Sequence, residues 1–220
     1  MTSRAPRSPA TPVAAMRPDV AFLVFAAAFF AFHHAWVIPQ TMAVAVAVGV
    51  LDAFAIVAAT ALVLSAFGAP RVAMLLAVAG ATLYVHARGA HLAANSIQGE
   101  IDAPIVTFWD ERFGHIAGVI GWVALTAAFC LAERGARRPP APSMVVLAPA
   151  GLLLGWTAFT STVEGQTWWL ELVAAALFAL WARWAPRPLL WTVAAAFALG
   201  ALLILGWAAW HGGVPEFTAV

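Results

Sequence analysis

The chain contains no lysine; all 11 of its basic residues are arginine. A seven-helix photoreceptor that holds retinal as a Schiff base is thereby excluded, because that linkage needs a lysine amine. Cysteine is almost as scarce. The single Cys130 cannot form an internal disulfide, and in its apolar run it reads as a small buried side chain. Charged residues make up 10% of the 220, against about a quarter in an ordinary soluble domain. The net charge of +1 gives no reason to expect a nucleic-acid partner. What fills the chain instead is apolar: 64% hydrophobic residues and a mean hydropathy of +0.90. That is the composition of an integral membrane protein, whose first partner is the lipid bilayer.

A helix needs roughly 20 apolar residues to cross a hydrocarbon core about 30 Å thick. Seven stretches meet this requirement, approximately 20–38, 42–66, 71–94, 108–132, 144–163, 167–185 and 188–210. Turn chemistry separates them: Pro39-Gln40-Thr41, Gly68-Ala69-Pro70, a polar stretch over 96–104, the proline-rich 137–143, Glu164-Gly165-Gln166-Thr167 and Pro186-Arg187-Pro188. The expected fold is an all-α bundle of seven transmembrane helices. Residues 1–18, rich in Pro, Ser, Ala and Arg, are expected to form a disordered cytoplasmic tail, 19–211 the helical domain and 212–220 a short outer tail. The first run, 20–38, exceeds a signal-peptide core in length and lacks a small-x-small cleavage pattern, so it is read as a retained span.

Arginine placement sets the expected orientation. With the N-terminus inside, Arg4, Arg7, Arg17, Arg71, Arg134, Arg137, Arg138, Arg183 and Arg187 are cytoplasmic, and only Arg88 and Arg112 lie outside. An odd number of spans puts the C-terminus outside. The protein is expected in a cell membrane, as in a bacterial inner membrane, with its site near the outer face.

With this topology all six histidines, His33, His34, His86, His91, His115 and His211, fall in the outer half. So do Glu100, Asp102, Asp110, Glu111, Glu164, Glu171 and Glu216, while Asp19 and Glu133 are inner and Asp52 lies near the middle of its span. The positive-inside rule does not explain a one-sided set of histidines. A carboxylate in mid-bilayer costs about 2.5–3.5 kcal/mol on insertion scales, so Asp52 is expected to face the bundle and to be either protonated or paired, with His34 or His86 as the partner. Glu164 and Glu171 are expected at the interface beside the Trp168-Trp169 pair. On helical spacing, His91 and Asn95 share a face with Tyr84, and Glu111 with His115. His86 points away from His91 unless the helix distorts at Gly89.

Imidazoles with carboxylates form the ligand set of zinc, and of non-haem iron or manganese. Here His86, His91 and His115 are the candidate ligands of a divalent metal, zinc before iron or manganese. Asp110 and Glu111 are the candidate catalytic acids or bases, and His33, His34, Asp52, Asn95 and His211 the supporting or substitute ligands. In its seven N-inside spans, a histidine of span three and the following Asp110-Glu111, the chain resembles the membrane zinc hydrolases that include alkaline ceramidases and adiponectin-receptor-type proteins. The resemblance implies hydrolysis of an amide or ester bond in a lipid or other apolar substrate. The early Ser-His element and the late H-x-x-x-H of those families are not present, so it is carried by architecture. Three other readings stand beside it. Histidines of different spans, His34 with His86 or His91, could hold haem in a redox protein. Asp52 could couple protons to transport. The loop 96–104 and the segment 212–217 could contact a partner in a non-enzymatic assembly factor.

Overall fold

The computed structural model describes residues 16–35, 42–98, 103–136 and 142–217. Among these, the regular elements are all helical, one in the place of each of the seven expected stretches: α1 Pro18–His34, α2 Met42–Phe67, α3 Arg71–Gln98, α4 Pro104–Gly135, α5 Met144–Glu164, α6 Trp168–Trp184 and α7 Pro188–His211. Helices α1, α4 and α7 open on proline, where the missing N–H would have had no helical partner anyway. Helix α2 ends at Gly68 with φ +62°, a left-handed turn that suits a residue without Cβ. Five helices (α2 from Val46, α3 to Ile97, α4, α5 and α7) are long and apolar enough to cross a membrane. The 17-residue α1 and α6 each extend about 25 Å. Most of the expected N-terminal tail, and Glu100 and Asp102 of the loop before α4, lie outside the described residues.

Helix α3 lies along α4, α1 along α2 and α5, and α7 along α5 and α6. An aromatic spine joins the two halves: Phe25 meets Phe129 edge-on at 4.8 Å, Trp122 stacks on Phe197 at 5.1 Å, and Phe197 meets Phe178 at 4.6 Å. Two glycines set how closely the helices approach. A Cβ on Gly121 would lie 2.7 Å from the Tyr84 nitrogen, and one on Gly155 would lie 2.5 Å from the Ala196 carbonyl oxygen. With lipid as solvent, this kind of backbone proximity is a main source of helix association. Outward faces stay apolar, as Phe54, Leu75, Val145 and Trp184 illustrate.

The end of the bundle carrying Arg17, Arg71, Arg134, Arg183 and Arg187 (the arginine end) is held by two buried acids. Asp19 pairs with Arg17 at 2.7 Å and accepts the Ser143 N–H at 2.7 Å, tying α1 to the start of α5. Glu133 accepts the Leu189 and Leu190 N–H groups at 2.9 and 3.2 Å. It thereby satisfies two first-turn donors of α7, which lacks a side-chain cap of its own. At the opposite, histidine end, residues 212–217 are not a free tail. Gln166 donates to the Val214 carbonyl at 3.1 Å, Trp207 to the Pro215 carbonyl at 2.9 Å, and Phe217 N–H to Glu164 at 2.9 Å.

Candidate functional site

Toward the histidine end, polar side chains of α1–α4 point into the bundle. Asp52 on α2 is 1% exposed, and both its oxygens are engaged. Tyr84 Oη donates to the carboxylate, 3.0 Å from each oxygen, and Arg88 Nε lies 2.8 Å from Oδ2. Tyr84 and Arg88 are four apart on α3 and so share a face. The expected partners of Asp52, His34 and His86, are not the ones it has. His86 lies two residues from both Tyr84 and Arg88, which turns it to the far side of the helix. There it is exposed and packs against Phe113 at 5.5 Å. Helix α3 runs unbroken through Gly89, so no distortion there brings His86 round to His91.

Arg88 also lies close enough to interact electrostatically with His33 of α1 and His115 of α4. His91 continues the polar band. Its Nδ1 is 2.6 Å from Asp110 Oδ1, and its Nε2 is 3.1 Å from the Asn95 side-chain amide. This network assigns the tautomer with the proton on Nδ1, donated to the carboxylate, and Nε2 accepting from Asn95. The His115 ring stands 4.8 Å from that of His91. On its other side it packs against the turn between α5 and α6, where a Cβ on Gly165 would lie 2.5 Å from His115 Nδ1.

The first part of α4 departs from α-helical geometry. Residues Phe108–Gly114 form a π-helical segment, in which the repeat is i to i+5 rather than i to i+4. This decides which acid faces inward. Four-residue spacing pairs His115 with Glu111, whereas the wider turn puts Asp110, five residues earlier, on the buried side at 1% exposure. Glu111 is exposed and interacts electrostatically with Asp110, Glu164 and Glu216, giving the histidine end an acidic rim.

The remaining histidines are occupied otherwise. His34 Nδ1 donates to the Phe30 carbonyl at 2.8 Å, and its Nε2 accepts from Trp156 at 3.2 Å with Thr160 at 3.3 Å, linking α1 to α5. An axial haem ligand needs a free ring nitrogen, and His34 has none in this arrangement. His211 is exposed on the Trp207 ring, 4.1 Å away. Among the described residues, no three His, Cys, Asp or Glu side chains come together in a group that could hold a metal ion. The His91–Asp110 pair has the orientation of a supported metal ligand. Its Nε2, however, is taken by Asn95, so the residues present do not form the expected zinc site.

One buried acid was not expected. Glu171, assigned to the interface from its tryptophan neighbours, is fully buried on α6. Among the described residues neither of its oxygens has a hydrogen-bond partner, and Oε1 lies where a Cβ on Gly200 would be. Only a residue without a side chain leaves α7 room for it.

Compared with models of known families, with curated proteins and with solved structures, the chain matches none. Asp52, Arg88, His33, His115, His91 and Asp110 run from inside α2 to the rim at Glu111, three imidazoles and two carboxylates around one guanidinium.

Proposed function

We propose that this is a multi-pass membrane protein that takes up and releases protons through its histidine end, in the manner of a proton-coupled carrier with Asp52 as the coupling group. Seven spans are proposed, N-terminus cytoplasmic and C-terminus outside, since the arginine end then obeys the positive-inside rule. The 17-residue lengths of α1 and α6 lie at the short end of the spanning range of about 17–25 residues.

The observation that carries the reading is the Asp52–Arg88–Tyr84 arrangement inside apolar helices. An ion pair buried at membrane depth is costly to build and typical of ion and proton pathways. A proton reaching Asp52 cancels the charge that holds Arg88. The guanidinium then requires another anion. It lines a groove of about 370 Å³ between α2 and α3, with Gly49, Ala53, Val57 and Leu92 along the walls. An anion with an apolar body suits such a groove, its charged group on Arg88 while Asp52 is protonated. Loss of the proton restores the original pair and releases the anion. His91, with Asp110 behind it and His115 beside it, supplies the exchange route to the rim.

The reading is tested by proton entry into liposomes that hold the purified protein and a pH-sensitive dye, driven by inward gradients of protons and of an aliphatic sulfonate, which does not cross the bilayer as its neutral acid. Acidification is expected with the wild type, to be abolished by Asp52→Asn and slowed by His91→Ala. Entry no faster than in protein-free liposomes, or unaffected by Asp52→Asn, overturns it.

A further inference from the structure

A second groove, away from the polar band, opens between α5 and α7 at the arginine end. It has a volume of about 700 Å³, and its walls are carried by Ala148, Leu152, Trp191, Ala195 and Leu199, with Arg187 at the mouth. We propose that this groove binds one anionic phospholipid of the cytoplasmic leaflet, an acyl chain along the α5–α7 seam and the phosphate on Arg187.

Three observations carry the assignment. The first is length. From Pro188 at the mouth to Leu199 at the far end, α7 rises about 16 Å, which is the depth of one leaflet in a hydrocarbon core of about 30 Å. The second is surface chemistry. Apart from Thr192, the lining below Arg187 and the prolines beside it is apolar, and the bare Gly151 lets α7 come close at Thr192, which forms the floor of the groove. An alkyl chain fits this lining; a polar solute leaves its own groups unsatisfied there. The third is charge. Arg187 is exposed at the start of α7, at the level where phosphates lie if the arginine end meets the headgroups. The exposed Trp191 one turn further in is at the depth favoured by interfacial tryptophans. Glu133, the acid whose charge acts on Arg187, already spends both oxygens on the N–H groups of α7. Arg187 itself is exposed, and at a membrane surface anionic lipids are drawn to such basic residues.

The proposal depends on the chain spanning a membrane but not on proton handling, so the two can fail separately. The test is native mass spectrometry of the full chain released from bilayers of equal phosphatidylglycerol and phosphatidylcholine. The wild type is expected to retain one phosphatidylglycerol with about fivefold preference. Arg187→Gln removes the preference and Arg187→Lys keeps most of it. Ala195→Trp and Ala148→Trp, both filling the groove from exposed positions, remove retention of either lipid while the helical circular dichroism is unchanged. Equal retention of both lipids by the wild type, or undiminished retention by both groove-filling variants, overturns it.

Discussion

Asp52 has its two oxygens shared among two donors from one face of a neighbouring helix, and this limits what each residue can do alone. Replacing Tyr84 by Phe removes one hydrogen bond and leaves the ion pair, and is expected to cost about 1 kcal/mol. Replacing Arg88 by Met leaves a carboxylate buried without its counter-charge, and a loss of about 3 kcal/mol is expected. Adding Asp52→Leu to Arg88→Met should recover most of it. Unfolding midpoints of the two single variants and the double variant in detergent measure the coupling; strict additivity contradicts a direct pair. His115 depends on bare backbone at Gly165. Gly165→Ala is therefore expected to displace the His115 ring and slow proton entry, with little change in helix content. The candidate site was legible in part at this scale. The one-sided histidines point to the end where inward polar groups gather, and His91, Asp110 and His115 do meet there. The sequence raises the question of what accompanies Asp52, but arginine placement counts Arg88 only as an outer charge and not as its partner. Its spacing of four from Tyr84 was the signal that could have found it.

Helix α4 explains why the acids were paired wrongly. A uniform period of 3.6 residues selects Glu111 as the companion of His115, and nothing in Phe108-Trp-Asp-Glu-Arg-Phe-Gly114 announces the wider turn. The local packing that accompanies it involves other chains of contact: Trp109 against Phe113 at 4.8 Å, and Gly114 against His91. If Asp110 is the acid that orients His91, Asp110→Asn should shift the ring-nitrogen NMR signals of His91 much further than Glu111→Gln, whose carboxylate acts on His91 only through its charge. The reverse pattern favours an ordinary α-helical register. Helix ends marked by proline, glycine or polar clusters were legible, as the boundaries of α2, α5 and α7 show, whereas α3 runs on to Gln98 and α4 starts at Pro104, four residues beyond the expected ends at 94 and 108. Glu171 was not legible, because its neighbouring tryptophans suggest an interface and its burial depends on Gly200 of another helix. Glu133 has a different role, as a cap lent by α4 to α7. Glu133→Ala strips two buried N–H groups of their acceptor and is expected to lower stability by about 1–3 kcal/mol, read as a fall in the unfolding midpoint.

Over the whole molecule, charge is sorted by end. Inward-turned polar groups gather toward the histidine end, whereas the two acids of the arginine end, Asp19 and Glu133, are consumed in fixing helix starts. A metal-dependent hydrolase would need a third ligand beside His91 and His115. Elemental analysis of the purified protein is accordingly expected to find no stoichiometric zinc, iron or manganese. About one ion per chain, lost in His91→Ala, restores the hydrolytic reading. Proton handling makes the opposite demand, for groups whose charge changes while the helices stay packed. Infrared difference spectroscopy of the protein in membranes, recorded as the external pH is lowered, observes the carboxyl of Asp52 itself. A protonated-carboxyl band that appears in the wild type and is missing in Asp52→Asn is the expected outcome; identical difference spectra from the two proteins contradict a proton-carrying Asp52.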